Sequence, residues 1–525
     1  MQKADVIVIG AGGAGLVAAI AARKSGADVL LISKTQLGWG GCTAYAGGGF
    51  TLASGSVRPE EHAQRTREIG RNVNQAELVD VLSHEGEASL QELADWGVTI
   101  QIGSGIASVG ISAPNRVLGG AGFTQELSEI ARRCGVRIQE QMVVVRLATE
   151  NERVVGVECI NWQTGSAHYF AATGAVVLAT GGGGQVYART DNPARVTGDG
   201  YALALQAGLP LIDMEFVQFY PLGWAEPGFP QWMIGLPIID YVRLTDSQGD
   251  EFLLDAIRAM GLADGREANL YARDRCARLL SERILAGDDV LLHLEEVSDA
   301  DWQRPGLQEL HAFYPQGATP AEYGPIRVAP IQHYFAGGVP IDTWGRTGLA
   351  GLFACGEVSG GVDGASRVGG NALTNLATFG LRAGKAAAQA ERSEPQLVRH
   401  EFALERLRWL ATGREEPAEL RAAIKQVAER YLGPVRSATG LATAIRELDE
   451  LQPRIADVGA VTPYQRLLAL ELPGLWITAR AIAQAALVRE ESRGVHYRRD
   501  FPEESAPWQR TVAVAWRDGE MITRL

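Results

Sequence analysis

A chain of 525 residues has room for two to four domains at about 100–200 residues each. Its hydrophobic fraction of 46% and charged fraction of 21% suit a globular protein, and no apolar run approaches the roughly 18 residues that a membrane span needs. Acidic residues outnumber basic ones, 62 against 49, for a net charge of −13, which argues against non-specific nucleic-acid binding.

The chain opens on Asp5-Val6-Ile7-Val8-Ile9-Gly10-Ala11-Gly12-Gly13-Ala14-Gly15, followed by the small-residue run 16–22. A β-branched strand, glycines at the first, third and sixth positions and a helix-forming run make the strand–turn–helix that seats a dinucleotide pyrophosphate. Met1-Gln2-Lys3 leads straight into that strand and leaves no room for a secretory signal, so a cytoplasmic location is expected. The five cysteines, Cys42, Cys134, Cys159, Cys276 and Cys355, show no C-x-x-C spacing. Neither a disulfide framework nor an iron–sulfur cluster is therefore expected from this chain alone, and no metal site is assigned.

The second strand, 28–33, ends in Ser33-Lys34 where a plain nicotinamide site would offer Asp or Glu to a ribose. The stretch 38–49, with glycines at 38, 40, 41, 47, 48 and 49, suits close backbone approach to a flat ligand. Residues 60–97 read as helical, 109–122 as a glycine-rich loop, and 124–134 as a helix. Three short β runs, 136–138, 142–147 and 153–159, suggest a small antiparallel excursion. A buried strand over 174–180 then runs into Gly181-Gly182-Gly183-Gly184, and Thr197-Gly198-Asp199-Gly200 opens a helix, where Asp199 can cap or reach a cofactor hydroxyl. From 213 to 330 the pattern shifts to tryptophans, prolines, a helix over 268–285 and few strong strands, which reads as an inserted cap. The nucleotide-binding pattern resumes at 331 with His333-Tyr334, the strand 351–357 and Ser366-Arg367-Val368-Gly369-Gly370-Asn371 before a small-residue helix. A charged boundary at 391–394 precedes amphipathic helices to about 490, and the tail 492–525 reads as irregular.

Taken in order, Gly10-Ala11-Gly12-Gly13-Ala14-Gly15, Ile32-Ser33-Lys34, Ala179-Thr180-Gly181-Gly182, Thr197-Gly198-Asp199-Gly200, His333-Tyr334 with Gly337-Gly338, Cys355-Gly356-Glu357 and Ser366-Arg367-Val368-Gly369-Gly370-Asn371 resemble the fumarate reductase, succinate dehydrogenase and L-aspartate oxidase flavoproteins. The likeness returns in Glu491-Ser492-Arg493-Gly494-Val495-His496. It implies an α/β fold: a FAD-binding Rossmann-type domain in two parts, 1–212 and 331–392, an inserted α+β capping domain, 213–330, and a C-terminal helical domain with a tail, 393–525.

The resemblance also implies site residues. FAD would contact Gly10, Gly12, Gly13, Ala14, Gly15, Ser33, Lys34, Gly41, Cys42, Thr43, Gly48, Gly49, Val144, Ala179, Thr180, Gly181, Asp199, Glu357, Asn371, Ala372 and Leu373, with Glu357 on a ribose. The family's covalent attachment uses a sequence resembling Ser-His-Thr; Gly41-Cys42-Thr43 stands there, so FAD is expected to be non-covalent. Arg273 in Tyr271-Ala272-Arg273-Asp274 would donate the proton, with Asp240 and Arg243 leading protons in, while hydride moves at flavin N5. His333 and Arg367 would hold carboxylate. The motif resembling Gln-Phe-His-Pro reads Gln218-Phe219-Tyr220-Pro221, and a tyrosine there can donate a hydrogen bond to substrate but carries no charge. The expected activity is interconversion of a saturated and an α,β-unsaturated short carboxylate. L-Aspartate oxidation, an electron-transfer subunit that requires an iron–sulfur partner, and a flavin-binding protein without catalysis are the alternatives.

Overall fold

The computed structural model describes residues 2–109, 119–304, 307–314, 319–394, 401–517 and 519–525. Its central sheet grows from the opening motif. The strand Gln2–Ile9 pairs in parallel with Val29–Ile32 on one side and with Ala167–Leu178 on the other, Val8 lying opposite Leu31 and Val177. Both faces are covered, so these strands read as continuous apolar runs. The strand Ala167–Leu178 is long enough to serve two sets of partners at once. Its first half pairs antiparallel with Arg153–Asn161, which pairs with Met142–Glu150, while its end pairs in parallel with Leu352–Ala354. The antiparallel excursion is therefore present, but Arg137–Gln139 lies outside it, as a parallel edge strand beside Val29–Ile32.

Other expectations are corrected locally. The helical stretch over 60–97 is two helices, Pro59–Ile69 and Ala76–Asp95. Of the loop expected over 109–122, residues 110–118 lie outside the described residues, and its end already belongs to the helix Gly119–Arg133. The tail contains the hairpin Ala513–Arg517 and Glu520–Arg524, which adds to Leu211–Ile212.

The cap carries more strand than its composition suggested. Val217–Trp224, Ile326–Phe335, Val290–Leu292 and Leu244–Asp246 form one antiparallel sheet in that order. The strand Ile326–Phe335 runs unbroken across the expected boundary at 330/331. Below the sheet, the single helix expected over 268–285 is two, Gly265–Tyr271 and Arg273–Leu285. They are separated by fully buried Ala272, whose φ of −143° leaves the helical region. That break places Arg273 at the first residue of the second helix. The cap has an apolar core of its own, centred on Leu222, Trp224, Leu236, Ile257, Leu280 and Leu292. The nucleotide domain and the C-terminal helices Pro417–Tyr431, Ala438–Ala456 and Pro463–Val488 instead share one continuous core.

Buried charge joins these last two parts. Glu471, fully buried on the helix Pro463–Val488, pairs with Lys34 at 3.0 Å, Arg195 at 2.8 Å and Arg421 at 2.9 Å. Removing this carboxylate leaves Arg195 and Arg421 without their anion in a desolvated joint, with Lys34 paired to Asp199 alone. Glu471→Ala is therefore expected to cost about 3–5 kcal/mol, the range for breaking a buried ion pair, seen as a lowered denaturant midpoint; a midpoint unchanged from the parent would show that the joint does not depend on it.

Candidate active site

The phosphate-binding turn follows from its glycines. Gly10 has φ +106°, and a Cβ there would lie 2.3 Å from the Ala179 carbonyl oxygen, so the turn passes directly under the second glycine-rich strand end. A Cβ on Gly15 would strike the Gly10 carbonyl at 1.8 Å, whereas one on Gly12 would meet nothing closer than 4.0 Å. The first two positions need glycine for packing; the space over Gly12 is kept for something other than protein. Thr43, buried, accepts a hydrogen bond from the Gly13 amide at 3.2 Å and ties the loop 38–49 to this turn. Gly41 and Cys42 share that loop, and Gly48, at φ +84°, packs where a Cβ would lie 2.8 Å from Gly119. Thr180 keeps a buried hydroxyl without a protein partner, beside Gly181 at φ +72°. An open cradle at a helix N-terminus with an orphaned hydroxyl beside it fits a dinucleotide.

Glu357 stands where the strand Leu352–Ala354 ends, and its Oε1 accepts the Phe335 amide at 3.0 Å. Burial pushes its carboxyl up to about 7, only partly offset by that amide and by Arg367. Other expected contacts are spent on protein. Lys34 donates to Thr197 at 2.6 Å and to Asp199 at 2.7 Å, besides its pairing with Glu471, so Lys34 and Asp199 neutralise each other. Ser33 is buried, and its amide bonds the Gln139 carbonyl. Val144 is buried in its strand opposite Cys159. The Asn371 side chain turns to His62 at 3.1 Å and Thr66 at 3.2 Å, which leaves the helix start at Asn371, Ala372 and Leu373, rather than that amide side chain, to face a cofactor.

At the seam between cap and nucleotide domain the structure brings together Arg273, Arg367, Tyr220 and His333. The Arg273 guanidinium lies 5.1 Å from the Tyr220 ring centroid, and its Nε donates to Asn269 Oδ1 at 3.0 Å. It also lies against the backbone at Gly369, where a Cβ would come within 2.9 Å of Nη2. Burial lowers the hold of Arg273 on its proton, and the charge of Arg367 pushes the same way. Arg367, itself buried, stacks on Tyr334 at 4.3 Å, donates to Gln218 Oε1 at 3.0 Å and keeps an unpartnered Nε. Tyr334 donates to Asp363 at 3.1 Å. His333 Nδ1 is bonded to Asp191 at 2.6 Å, which fixes the ring and leaves Nε2 for a ligand.

Three expectations change here. The Tyr220 hydroxyl donates to Asn269 at 2.6 Å and accepts the Leu236 amide at 2.8 Å, so its proton is spent on the protein. Asp240 accepts the Gly265 amide at 2.6 Å, and Arg243 pairs with Glu296 at 2.5 Å. No hydrogen bond or ion pair links either one to Arg273 among the described residues. Asn269, Asp191 and Asp363 were missed. The spacing of four between Asn269 and Arg273 was a readable helical signal; Asp191 and Asp363 had none, being far in sequence from their partners.

A dinucleotide cradle beside a seam that takes one guanidinium from the cap and one from the nucleotide domain suits an oxidoreductase with a dinucleotide cofactor. A family model described as FAD binding domain matches residues 5–373, and one described as fumarate reductase flavoprotein C-term matches 421–523. The chain belongs to the fumarate reductase and succinate dehydrogenase flavoprotein family, and its cofactor is FAD. It is 33% identical to one subunit of the fumarate reductase (CoM/CoB) of Methanothermobacter marburgensis, over 98% of this chain and 97% of that one. It is 32% identical to L-aspartate oxidase of Streptomyces coelicolor, over 97% and 91%. The solved structure of E. coli quinol fumarate reductase covers all of the chain with a TM-score of 0.85 at 29% identity, 97% of that structure being matched. Among the described residues no helix is long and apolar enough to cross a membrane.

The resemblance puts a FAD ribose on Glu357, and ribose hydroxyls donate best to an ionised carboxylate, so on that expectation FAD uptake should pull Glu357 toward its charged form. Apoprotein should then bind FAD more tightly at pH 8 than at pH 6, with affinity levelling off above about 7. Glu357→Gln should flatten that dependence; quenching of FAD fluorescence measures it, and an affinity independent of pH in the parent chain would dismiss the assignment.

Proposed function

We propose that this chain interconverts a saturated and an α,β-unsaturated short carboxylate, with succinate and fumarate as the reference pair, and that Arg273 moves the proton. The observation that supports it is the placement of Arg273 and Arg367 on opposite sides of one seam, the first on the cap and the second on the nucleotide domain. When bound, FAD supplies a ring that gives or takes hydride. Arg367 and His333 orient the carboxylate, since a guanidinium fork matches two carboxylate oxygens. Arg273 faces the carbon that gains or loses a proton. A guanidinium ordinarily holds its proton above about pH 12. Burial and the neighbouring cation weaken that hold, and a developing carbanion is the stronger base. Arg273 is re-protonated from the outer edge of the cap, where exposed Asp240 sits at the start of the helix that carries Asn269. Arg243, committed to Glu296, has the lesser part.

L-Aspartate oxidation is the second reading. It is supported by the Streptomyces relative and would use the same clamp for an amino acid. The Methanothermobacter relative is one subunit of its enzyme, which supports a partner that carries electrons. An iron–sulfur protein suits that part, because the cysteines of this chain are free and scattered. FAD is held without a covalent bond: burial, with Glu357 and Asp191 adding, pushes the Cys42 thiol well above its usual range, and a protonated thiol is a poor nucleophile.

Arg273→Gln is expected to lower fumarate reduction by reduced viologen at least about 10³-fold with the bound-flavin spectrum intact. A variant that still turns over removes Arg273 from the chemistry, and aspartate-dependent peroxide without fumarate turnover would select the second reading. Acid precipitation should leave a colourless pellet and release all FAD; a yellow pellet would mean a covalent link.

A further inference from the structure

Arg273 is the first residue of its helix, a poor place to fix a long side chain, because only part of a helical turn packs beside it. What fixes it belongs to the preceding helix. Asn269 presents a single carbonyl oxygen, Oδ1, that accepts both Arg273 Nε at 3.0 Å and the Tyr220 hydroxyl at 2.6 Å. The Leu236 amide donates to the same hydroxyl at 2.8 Å. Tyr220 is thereby pinned at its tip by two elements of the cap, and its ring face lies under the Arg273 guanidinium at 5.1 Å. The guanidinium also lies against Gly369, where a Cβ would come within 2.9 Å of Nη2 and 3.3 Å of Nη1. With Nε held by Asn269, the two terminal nitrogens lie toward Gly369, on the nucleotide-domain side of the seam.

We propose that Asn269 is the positioning residue for Arg273, locking Tyr220 and the guanidinium into one unit through a shared amide oxygen. This rests on the reading of Arg273 as proton donor. The break at Ala272 has a purpose on this view. A continuous helix would also put positions 269 and 273 on one face, but the kink frees Arg273 from the first helix while the Asn269 bond keeps it tied to it. The lock also uses the tyrosine. Phenylalanine would keep the ring face yet lose the tie to Asn269 and Leu236. The oxygen is that of a neutral amide, so the lock leaves the positive charge of Arg273 for the ligand side.

The test uses the full FAD-loaded chain. Asn269→Leu removes the acceptor at similar volume. It should lower kcat about 10²-fold, the usual effect of a misplacement near 1 Å, while KM for the carboxylate stays within threefold because Arg367 and His333 are untouched. Asn269→Asp keeps the acceptor and should restore kcat to within about tenfold of the parent, the remaining deficit coming from the negative charge it sets beside the guanidinium. In a crystal structure of Asn269→Leu, the guanidinium should leave the Tyr220 face, a readout that needs no turnover. An Asn269→Leu variant that keeps the parental kcat, or one in which Arg273 stays stacked on Tyr220, overturns the proposal. So does an Asp variant no better than Leu. Arg273→Gln, run beside them, separates the two claims: if it remains active the proton-donor reading has failed, and if it is dead while Asn269→Leu is active only the positioning role has.

Discussion

Two guanidiniums lie at one seam, near enough that the charge of Arg367 weakens the hold of Arg273 on its proton, and much of the site can be understood as the means of tolerating that. Like charges at low dielectric repel strongly. The protein offsets the repulsion without neutralising either charge. Each guanidinium lies over a tyrosine face, Arg273 on Tyr220 and Arg367 on Tyr334. Each is also bonded to an uncharged oxygen, from Asn269 in one case and Gln218 in the other. The carboxylates are held one layer back, Asp191 behind His333 and Asp363 behind the Tyr334 hydroxyl. Burial pushes Asp363 up to about 6, and Arg367 holds it from going higher. An ion pair made directly with either arginine would satisfy the charge and blunt its pull on a ligand. Among the described residues no carboxylate pairs directly with Arg273 or Arg367, which supports the proposal of a small anionic ligand.

This arrangement needs two bodies that keep their shape while meeting at an edge. The cap has its own apolar core, so displacing it as a unit would alter the spacing of Arg273 and Arg367 without opening either core. The crossings between the bodies are pinned instead. Asp213, where the chain enters the cap, has φ +57°, and a Cβ on Gly337, where it returns, would lie 2.2 Å from the Asp213 carbonyl oxygen. Beneath them fully buried Arg489 bonds Glu215 at 2.5 Å and Glu491 at 3.1 Å, and Arg493 bonds Glu491 at 2.7 Å. The C-terminal segment thus reaches back to both entry strands through charges that only a complete network can satisfy. That gives a structural reason for the motif Glu491-Ser492-Arg493 near the end of the chain.

What could be read from the sequence was local. The opening strand, turn and helix need only neighbouring residues to declare themselves, and they appear as expected. The seam residues Arg273, Arg367 and His333 came from motifs, and they converge. The misses share a cause, which is that the deciding partner lies far along the chain. The hairpin at 513–524 is the exception, since Val512-Ala513-Val514-Ala515-Trp516 followed by Asp518-Gly519 is a local hairpin signal that the irregular reading passed over; its first strand pairs with Leu211–Ile212. The break at Ala272 carries no glycine or proline; it follows from the packing of a buried alanine inside the cap. Arg243 sits in a suggestive motif, yet Glu296, fifty-three residues on, takes its guanidinium.

Tyr220 shows how a departure from a family pattern can change a site without dismantling it. A histidine there would present a ring nitrogen to the ligand. The tyrosine presents its face to Arg273 and its edge to His333, with ring centroids 5.9 Å apart, and sends its only hydroxyl into the cap. Burial pushes that hydroxyl above its ordinary range, so it stays a neutral donor. The position then holds, on the proposed reading, the residue that meets the ligand rather than the ligand itself. On the proposed reading, carboxylate recognition then rests on Arg367 and His333. The ligand's second end meets an aromatic face and a guanidinium rather than a second dedicated clamp. Selectivity in such a slot depends less on matching two charges at a fixed distance than on the fit between one anchored carboxylate and the width that Tyr220 and Gly369 leave around Arg273.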